Sequence, residues 1–235
     1  MPGSILHRRA AAIVAMLYIL VQAFQSYVFA QLPVPDGPAQ ELLLGAAPLN
    51  LARALLMLLS FFAQAYLLLV VCALAFRRTP LAAVAAYLGF FAYCLIEVLL
   101  RSVELFHGQL ALPELYRAAS SHDAQAQVLA QAAAFQSVQR ALYFPLLLAQ
   151  ALGSLVLACC LGGGRLGWLA SCAFGLNTVR LSLRMFGMYL MPTPLDPLLD
   201  RWYLAFVVAI FGSLALWLWP SRPPSHADSR GIASP

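Results

Sequence analysis

Six long, mainly apolar stretches limit what this chain can fold into more than any other feature. Residues 10–30, 49–76, 81–106, 141–161, 166–190 and 202–219 each approach or exceed the roughly 20 residues a helix needs to cross a hydrocarbon core of about 30 Å. Lipid offers no hydrogen-bond partners, so a segment crossing it must satisfy its backbone internally, which a helix does within one segment. The expected fold is therefore all-α, a polytopic transmembrane bundle of six helices. Composition agrees: 63% of residues are hydrophobic and 10% charged, against about 45–50% and about 25% in soluble domains. The expected organisation is one transmembrane domain over 10–219, a short cytoplasmic segment over 1–9, and a Pro/Ser-rich, disordered cytoplasmic tail over 220–235.

The first stretch ends in Val28-Phe29-Ala30, which a signal peptidase could read as a small-residue cleavage site. It is long for a secretory h-region of about 7–15 residues. It also carries Tyr18, Gln22, Gln25 and Ser26 on one helical face. A retained helix is the preferred reading.

Fourteen basic residues, all arginine, give a net charge of +5. On a soluble chain such a balance would suggest nucleic acid, but here many arginines lie between apolar runs and read as topology signals or as members of a buried site, so no nucleic-acid partner is expected. With the amino terminus inside, the cytoplasmic segments collect Arg8, Arg9, Arg77, Arg78, Arg165, Arg222 and Arg230, and the outer loops hold only Arg117 and Arg201. That bias fits an even number of spans with both termini cytoplasmic.

The five cysteines, all in apolar segments, lack the spacing of a metal or redox motif and read as packing residues. Gly162-Gly163-Gly164-Arg165 lacks the Lys-Ser/Thr of a phosphate loop and follows no strand. No cofactor or metal is expected.

The connections are read as a loop over 31–48, a tight basic turn at Arg77-Arg78-Thr79-Pro80, and a polar connection over 108–126 with a short helix at 113–119. The fourth helix begins before the membrane, in 125–139, and Pro145 should bend it.

Glu97, Arg101, Glu104 and His107 interrupt the third stretch. At roughly 100° per residue they fall within about a third of the helix circumference. Charge at membrane depth is costly and rarely faces lipid, so such a stripe marks a site or a packing network. Asn177, Arg180 and Arg184 form a second stripe on the fifth stretch, and Arg53 and Arg140 approach from the outer ends of the second and fourth. Counting at 1.5 Å per residue from the cytoplasmic side places Glu97 and Arg180 at or beyond mid-depth. The expectation is one polar cavity in the outer half, lined by Arg53, Glu97, Arg101, Glu104, Arg140, Asn177, Arg180 and Arg184.

Arg101, Arg180 and Arg184 against Glu97 and Glu104 leave one positive charge, or three if Arg53 and Arg140 belong. Burying an unpaired ion costs several kcal/mol, so the excess calls for water, Asp196, Asp200 or a bound anion. Guanidinium groups suit carboxylate and phosphate acceptors. The favoured function is binding or transport of a small anionic or lipid-like molecule, with membrane lipids as the surrounding partners. The alternatives are a membrane enzyme using Glu97 and Glu104 as acid and base on a lipid or isoprenoid, and a scaffold whose ion pairs lock helices together. The sequence leaves oligomeric state open.

Two halves of three helices would be oppositely oriented, as in transporters built from inverted repeats. The one internal echo, Leu49-Asn50-x-x-Arg53 against Leu176-Asn177-x-x-Arg180, lies near the start of one helix and midway along the other. The registers disagree, and no repeat is inferred.

The layout, with Arg-Ala-Ala-Ala-Ile-Val-Ala-Met-Leu-Tyr-Ile-Leu at 9–20, a long outer loop, Arg53 leading the second helix, an arginine on the third and a second long polar connection, resembles a group of bacterial six-helix integral membrane proteins catalogued as a domain of unknown function. The resemblance covers most of 9–215 and rests on layout, without a diagnostic motif. The chain departs from that group in pairing Arg180 with Arg184. The likeness implies the six-helix architecture and a bacterial inner-membrane location, and carries no mechanism.

Overall fold

The computed structural model describes residues 5–162 and 166–219, whose regular structure is all helical. The last three residues of the Gly162–Arg165 loop and the tail over 220–235 lie outside the described residues. Long helices α1 (Ile5–Gln31), α3 (Pro48–Phe76), α4 (Pro80–Val103), α6 (His122–Cys160) and α7 (Gly167–Tyr189) alternate with shorter α2 (Pro38–Gly45), α5 (Leu112–Ala118), α8 (Asp196–Arg201) and α9 (Tyr203–Leu218). A π-helical segment, Glu104–Ala111, joins α4 to α5 without a break.

Among the described residues, four helices are long and apolar enough to cross a membrane: α1, α3, the continuous rod from Pro80 to Ala118, and α6. α9 is apolar but short, and in α7 the polar Asn177, Arg180 and Arg184 dilute the hydropathy. Their outward faces are apolar and open, with Leu20, Phe62, Leu88 and Leu99 each more than half exposed. The inward faces are mixed: Gln22, Arg53, Gln64, Glu97 and Asn177 are buried among aromatic and aliphatic neighbours. This reverses the soluble pattern and suits a lipid surround.

The packing is cyclic. α1 lies against α3, α3 against α4, α4 against α6, α6 against α7, α7 against α9, and α9 returns to α1. Small residues set the closest approach. A Cβ on Gly89 of α4 would stand 2.8 Å from the Ala149 carbonyl oxygen and 3.4 Å from the Gly153 Cα of α6. Such pairings let helix backbones meet where no hydrophobic effect drives association. The ring closes where chain start meets chain end: Ala11, Ala12 and Ala15 are buried, Tyr18 packs on Phe211 at 4.4 Å between ring centroids, and Arg8 donates to the Trp217 carbonyl at 3.0 Å.

Three expectations change. The stretch expected to be a loop over 31–48 contains α2, which Pro38 opens at a position where its missing N–H costs nothing. The polar connection expected over 108–126 is almost wholly helical: α4 runs on through the π segment and α5, and Ser121 caps α6 by accepting from the Ala124 N–H at 3.2 Å. The outer loop expected to hold Arg201 contains α8, from Asp196 to Arg201. α6 continues through Pro145, and its first half joins α2, the π segment and α5 in a cap at one end of the ring, packed around Leu42, Leu112 and Val128.

Candidate functional site

Glu97 and Arg101 are one helical turn apart on α4, so their side chains meet: Arg101 Nε donates to Glu97 Oε2 at 3.2 Å. The same guanidinium reaches forward to Glu104 Oε2 at 2.7 Å. Glu104 opens the π segment and gathers groups from three further directions. Arg53 of α3 stands 3.6 Å from its Oε1, Gln109 donates to Oε1 at 3.1 Å, and Gln139 of α6 donates to Oε2 at 3.5 Å. The π turn explains the choice of Gln109. Its i→i+5 geometry brings residue 109 over residue 104 and carries His107 out of the stripe. The expectation that His107 shares the face of Glu97 and Arg101 is thereby corrected, because the α-helical phase used to place it ends at Val103. His107 is exposed and lies edge-on to Phe135 at 6.0 Å.

This cluster sits between two hollows. The outer one, a vestibule of about 840 Å³, lies under the cap and is lined by Arg53, Glu104, Gln109 and the apolar Leu32, Leu42 and Leu112. The inner one, a chamber of about 370 Å³, takes residues from all six ring helices, among them Tyr18, Met57, Glu97, Gln150, Arg180 and Tyr203. Gln25, Arg101 and Tyr143 line both hollows, so they form the partition.

Arg180 occupies the far wall of the chamber. Its Nη2 donates to Asn177 Oδ1 at 3.2 Å, and its guanidinium lies 5.5 Å from the centroid of the Tyr203 ring. Asn177 is itself anchored, its amide donating to Ser154 Oγ of α6 at 2.9 Å. Arg53 is held the same way: its Nε donates to Asn50 Oδ1 at 2.7 Å, Asn50 donates to the Gly45 carbonyl at 2.9 Å, and the guanidinium lies 4.7 Å from the centroid of the Phe29 ring. The Asn-x-x-Arg echo is thus a local device used twice, in which an i,i+3 amide oxygen and an aromatic ring fix a guanidinium. It sits on α3 and α7, helices that face each other across the ring.

The two arginines differ in their charge partners. Arg53 and Arg101 face Glu97 and Glu104, and the four cancel. Arg184 pairs with Asp200 at 2.8 Å, an exposed contact at the chamber's outer edge. Arg180 makes no ion pair among the described residues, and its Nε is buried without a hydrogen-bond partner there.

Of the residues expected to share one cavity, Arg53, Glu97, Arg101, Glu104, Arg180 and Arg184 line one hollow or the other. Asn177 lies behind the wall as the support of Arg180. Arg140 lines neither hollow; it is exposed on α6, with its Nη2 3.4 Å from the Met188 carbonyl. Its register on α6 turns it away from both hollows.

Of the chamber's tyrosines, the sequence puts Tyr18 and Tyr143 on polar helix faces without assigning them to a cavity, and passes over Tyr93 and Tyr203. Tyr203 donates to Gln22 Oε1 at 2.9 Å, and Gln22 is fully buried. Tyr93 donates to Gln64 Oε1 at 3.3 Å. The available signal was the pairing of hydroxyls with glutamines on faces already marked as polar. Replacing Tyr203 by Phe strands the Gln22 carbonyl inside the ring, and the expected cost is about 1–3 kcal/mol, read as a lower unfolding midpoint in detergent. Tyr27→Phe, at an exposed position, is expected to leave the midpoint in place.

Comparison with protein-family models, curated proteins and solved structures finds no match.

Proposed function

We propose that the chain is a six-span protein of the bacterial inner membrane, with both termini cytoplasmic, that binds or moves a small anionic or lipid-like molecule through the vestibule and chamber of its outer half. The observation that carries this reading is the hollow centre of the ring, in which one guanidinium, Arg180, has no carboxylate partner among the described residues. Arg180 is half-buried with its Nε cut off from solvent, and an anion in the chamber would supply the counter-charge it lacks. The partition of Gln25, Arg101 and Tyr143 supports a route from vestibule to chamber, because one arginine there divides its hydrogen bonds between a carboxylate of each hollow. The span count and sidedness draw support from the cyclic packing and from Arg8, Arg9, Arg77 and Arg78 gathering at the end away from the cap.

Acid/base chemistry by Glu97 and Glu104 has less support, since Arg101 holds both carboxylates and Glu104 also accepts from Gln109 and Gln139 and faces Arg53 at 3.6 Å. A purely structural role for the ion pairs accounts for that cluster and leaves Arg180 unexplained.

Native mass spectrometry of the protein extracted in mild detergent tests the reading. The wild type is expected to carry a stoichiometric anion that is lost in Arg180→Leu, weakened in Arg184→Leu and retained in Arg117→Leu, a change on the exposed face of α5. Equal retention by all three variants, or no bound anion in the wild type, would count against it.

A further inference from the structure

The chamber's charge, size and wall chemistry narrow the ligand further, on the premise that an anion binds there. We infer that its ligand is an organic monocarboxylate with a compact apolar body, and that phosphate esters and phospholipid headgroups are discriminated against.

The charge balance comes first. The charged groups lining the chamber are Glu97, Arg101, Arg180, Arg184 and Asp200. Arg184 and Asp200 form a pair at the edge. Arg101 and Glu97 belong to the neutral four-membered cluster with Arg53 and Glu104. One positive charge is left, on Arg180. A single carboxylate brings the interior to zero. A phosphate monoester carries about −1.5 to −2 near pH 7, which leaves it with excess negative charge beside the Glu97 carboxylate. A neutral molecule leaves Arg180 uncompensated.

Size and walls decide the rest. About 370 Å³ lies near the lower end of the range for small-molecule sites, about 300–1,000 Å³. A diacyl lipid is also monoanionic when its headgroup is a phosphodiester, but about 370 Å³ takes in only a small part of its body. Beyond the polar groups the walls are Phe61, Leu146, Leu181, Val207, Ile210 and Phe211, which suit an aromatic or branched aliphatic body. The Tyr18 and Tyr93 rings flank the same space. Guanidinium is planar and matches a carboxylate through parallel hydrogen bonds. Asn177 and the Tyr203 ring hold Arg180 from behind and beside, so it meets such a group already oriented.

Three probes that share a phenyl ring and differ in head group test this: benzoate, phenyl phosphate and the uncharged benzamide, titrated calorimetrically into the full chain in detergent at pH 7. Benzoate is expected to bind at least tenfold more tightly than either of the others, and Arg180→Leu is expected to erase the preference over benzamide. Should Arg180→Leu fail to fold, the wild-type ranking alone still decides. Phenyl phosphate binding as tightly as benzoate, or a phospholipid retained in native mass spectra that benzoate does not displace, would overturn the monocarboxylate inference while leaving an anion site standing. Equal binding of benzoate and benzamide would overturn it too, and with it the premise that charge governs the chamber. If none of the three binds, the inference is wrong, and the premise then stands or falls on whether an endogenous anion is present in the wild type.

Discussion

Replacing Arg101 by Met is expected to destabilise the protein by about 3–5 kcal/mol, the range seen when one partner of a buried ion pair is removed. Two carboxylates lose their shared cation at once. The side chains of Arg101, Glu97 and Glu104 are only 16%, 8% and 18% exposed, so water compensates little. Arg53 stays within reach of Glu104 at 3.6 Å, but the carboxylate of Glu97 has no second ion-pair partner among the described residues. The decisive measurement is therefore a double-mutant cycle. Glu97→Gln in the Arg101→Met background should recover a sizeable part of the loss, because it removes the stranded charge. The same change at Glu104 should recover less, since Arg53, Gln109 and Gln139 still contact that carboxylate. Simple additivity at both positions would show that the three groups do not act together. The predicted order also separates a packing role from an electrostatic one, since Met keeps most of the arginine's apolar stem.

The second large effect lies at the crossing of α4 and α6. Gly89→Leu is expected to prevent assembly of a stable ring, and even Gly89→Ala should cost about 1–3 kcal/mol, as overpacking a close interface does. The new Cβ would stand 2.8 Å from a backbone carbonyl oxygen, that of Ala149. No rotamer change relieves a clash with backbone, so α4 and α6 must separate. Gly153 is tight from the other side, with its Cβ position 3.0 Å from the Ala86 carbonyl oxygen and 3.1 Å from the Phe90 ring. Gly212 and Gly175 have open space where a Cβ would go, and alanine there should be tolerated apart from small propensity effects. Yield of monodisperse protein and thermal midpoint in detergent check the contrast. Gly89→Ala behaving like Gly212→Ala would refute the close crossing.

Much of this fold was readable from periodicity alone. The bounds expected for the second long helix, 49–76, and the fifth, 166–190, differ by a residue at most from Pro48–Phe76 and Gly167–Tyr189, because lipid-length apolar runs leave few alternatives. The short cap helices were not readable. Pro33, Pro35 and Pro38 make 31–48 look like a loop, yet the last of them opens a helix whose Leu42 is buried by residues distant in sequence, Leu112 and Val128. The π segment left no trace in composition, since its wider turn is a matter of hydrogen-bond registration. That is why Gln109 was missed and His107 was wrongly placed beside Arg101. Arg140 shows the opposite limit: residue type and depth suit a cavity arginine, and only the rotation of α6 settles where the side chain goes. The convergence of Glu97 and Arg180 on one chamber was inferable from depth on separate helices. Tyr93 and Tyr203, which share it, were not, because a tyrosine in an apolar helix looks the same whether it faces neighbours or lipid.

The contact between α1 and α9 has a bearing on biosynthesis. As the chain emerges from its amino end, α1, α3 and α4 are complete while the residues that will cover their polar faces are still unmade. Gln22 waits for Tyr203, an interval of 181 residues, and the inward side of Glu97 waits for α7 and α9. A half-made chain therefore presents glutamine and carboxylate groups with no finished interior to receive them. Whatever shelters those faces during insertion must hold the first three helices until the last one arrives, and a chain cut short before Tyr203 would remain a client of that machinery and of the proteases that police it.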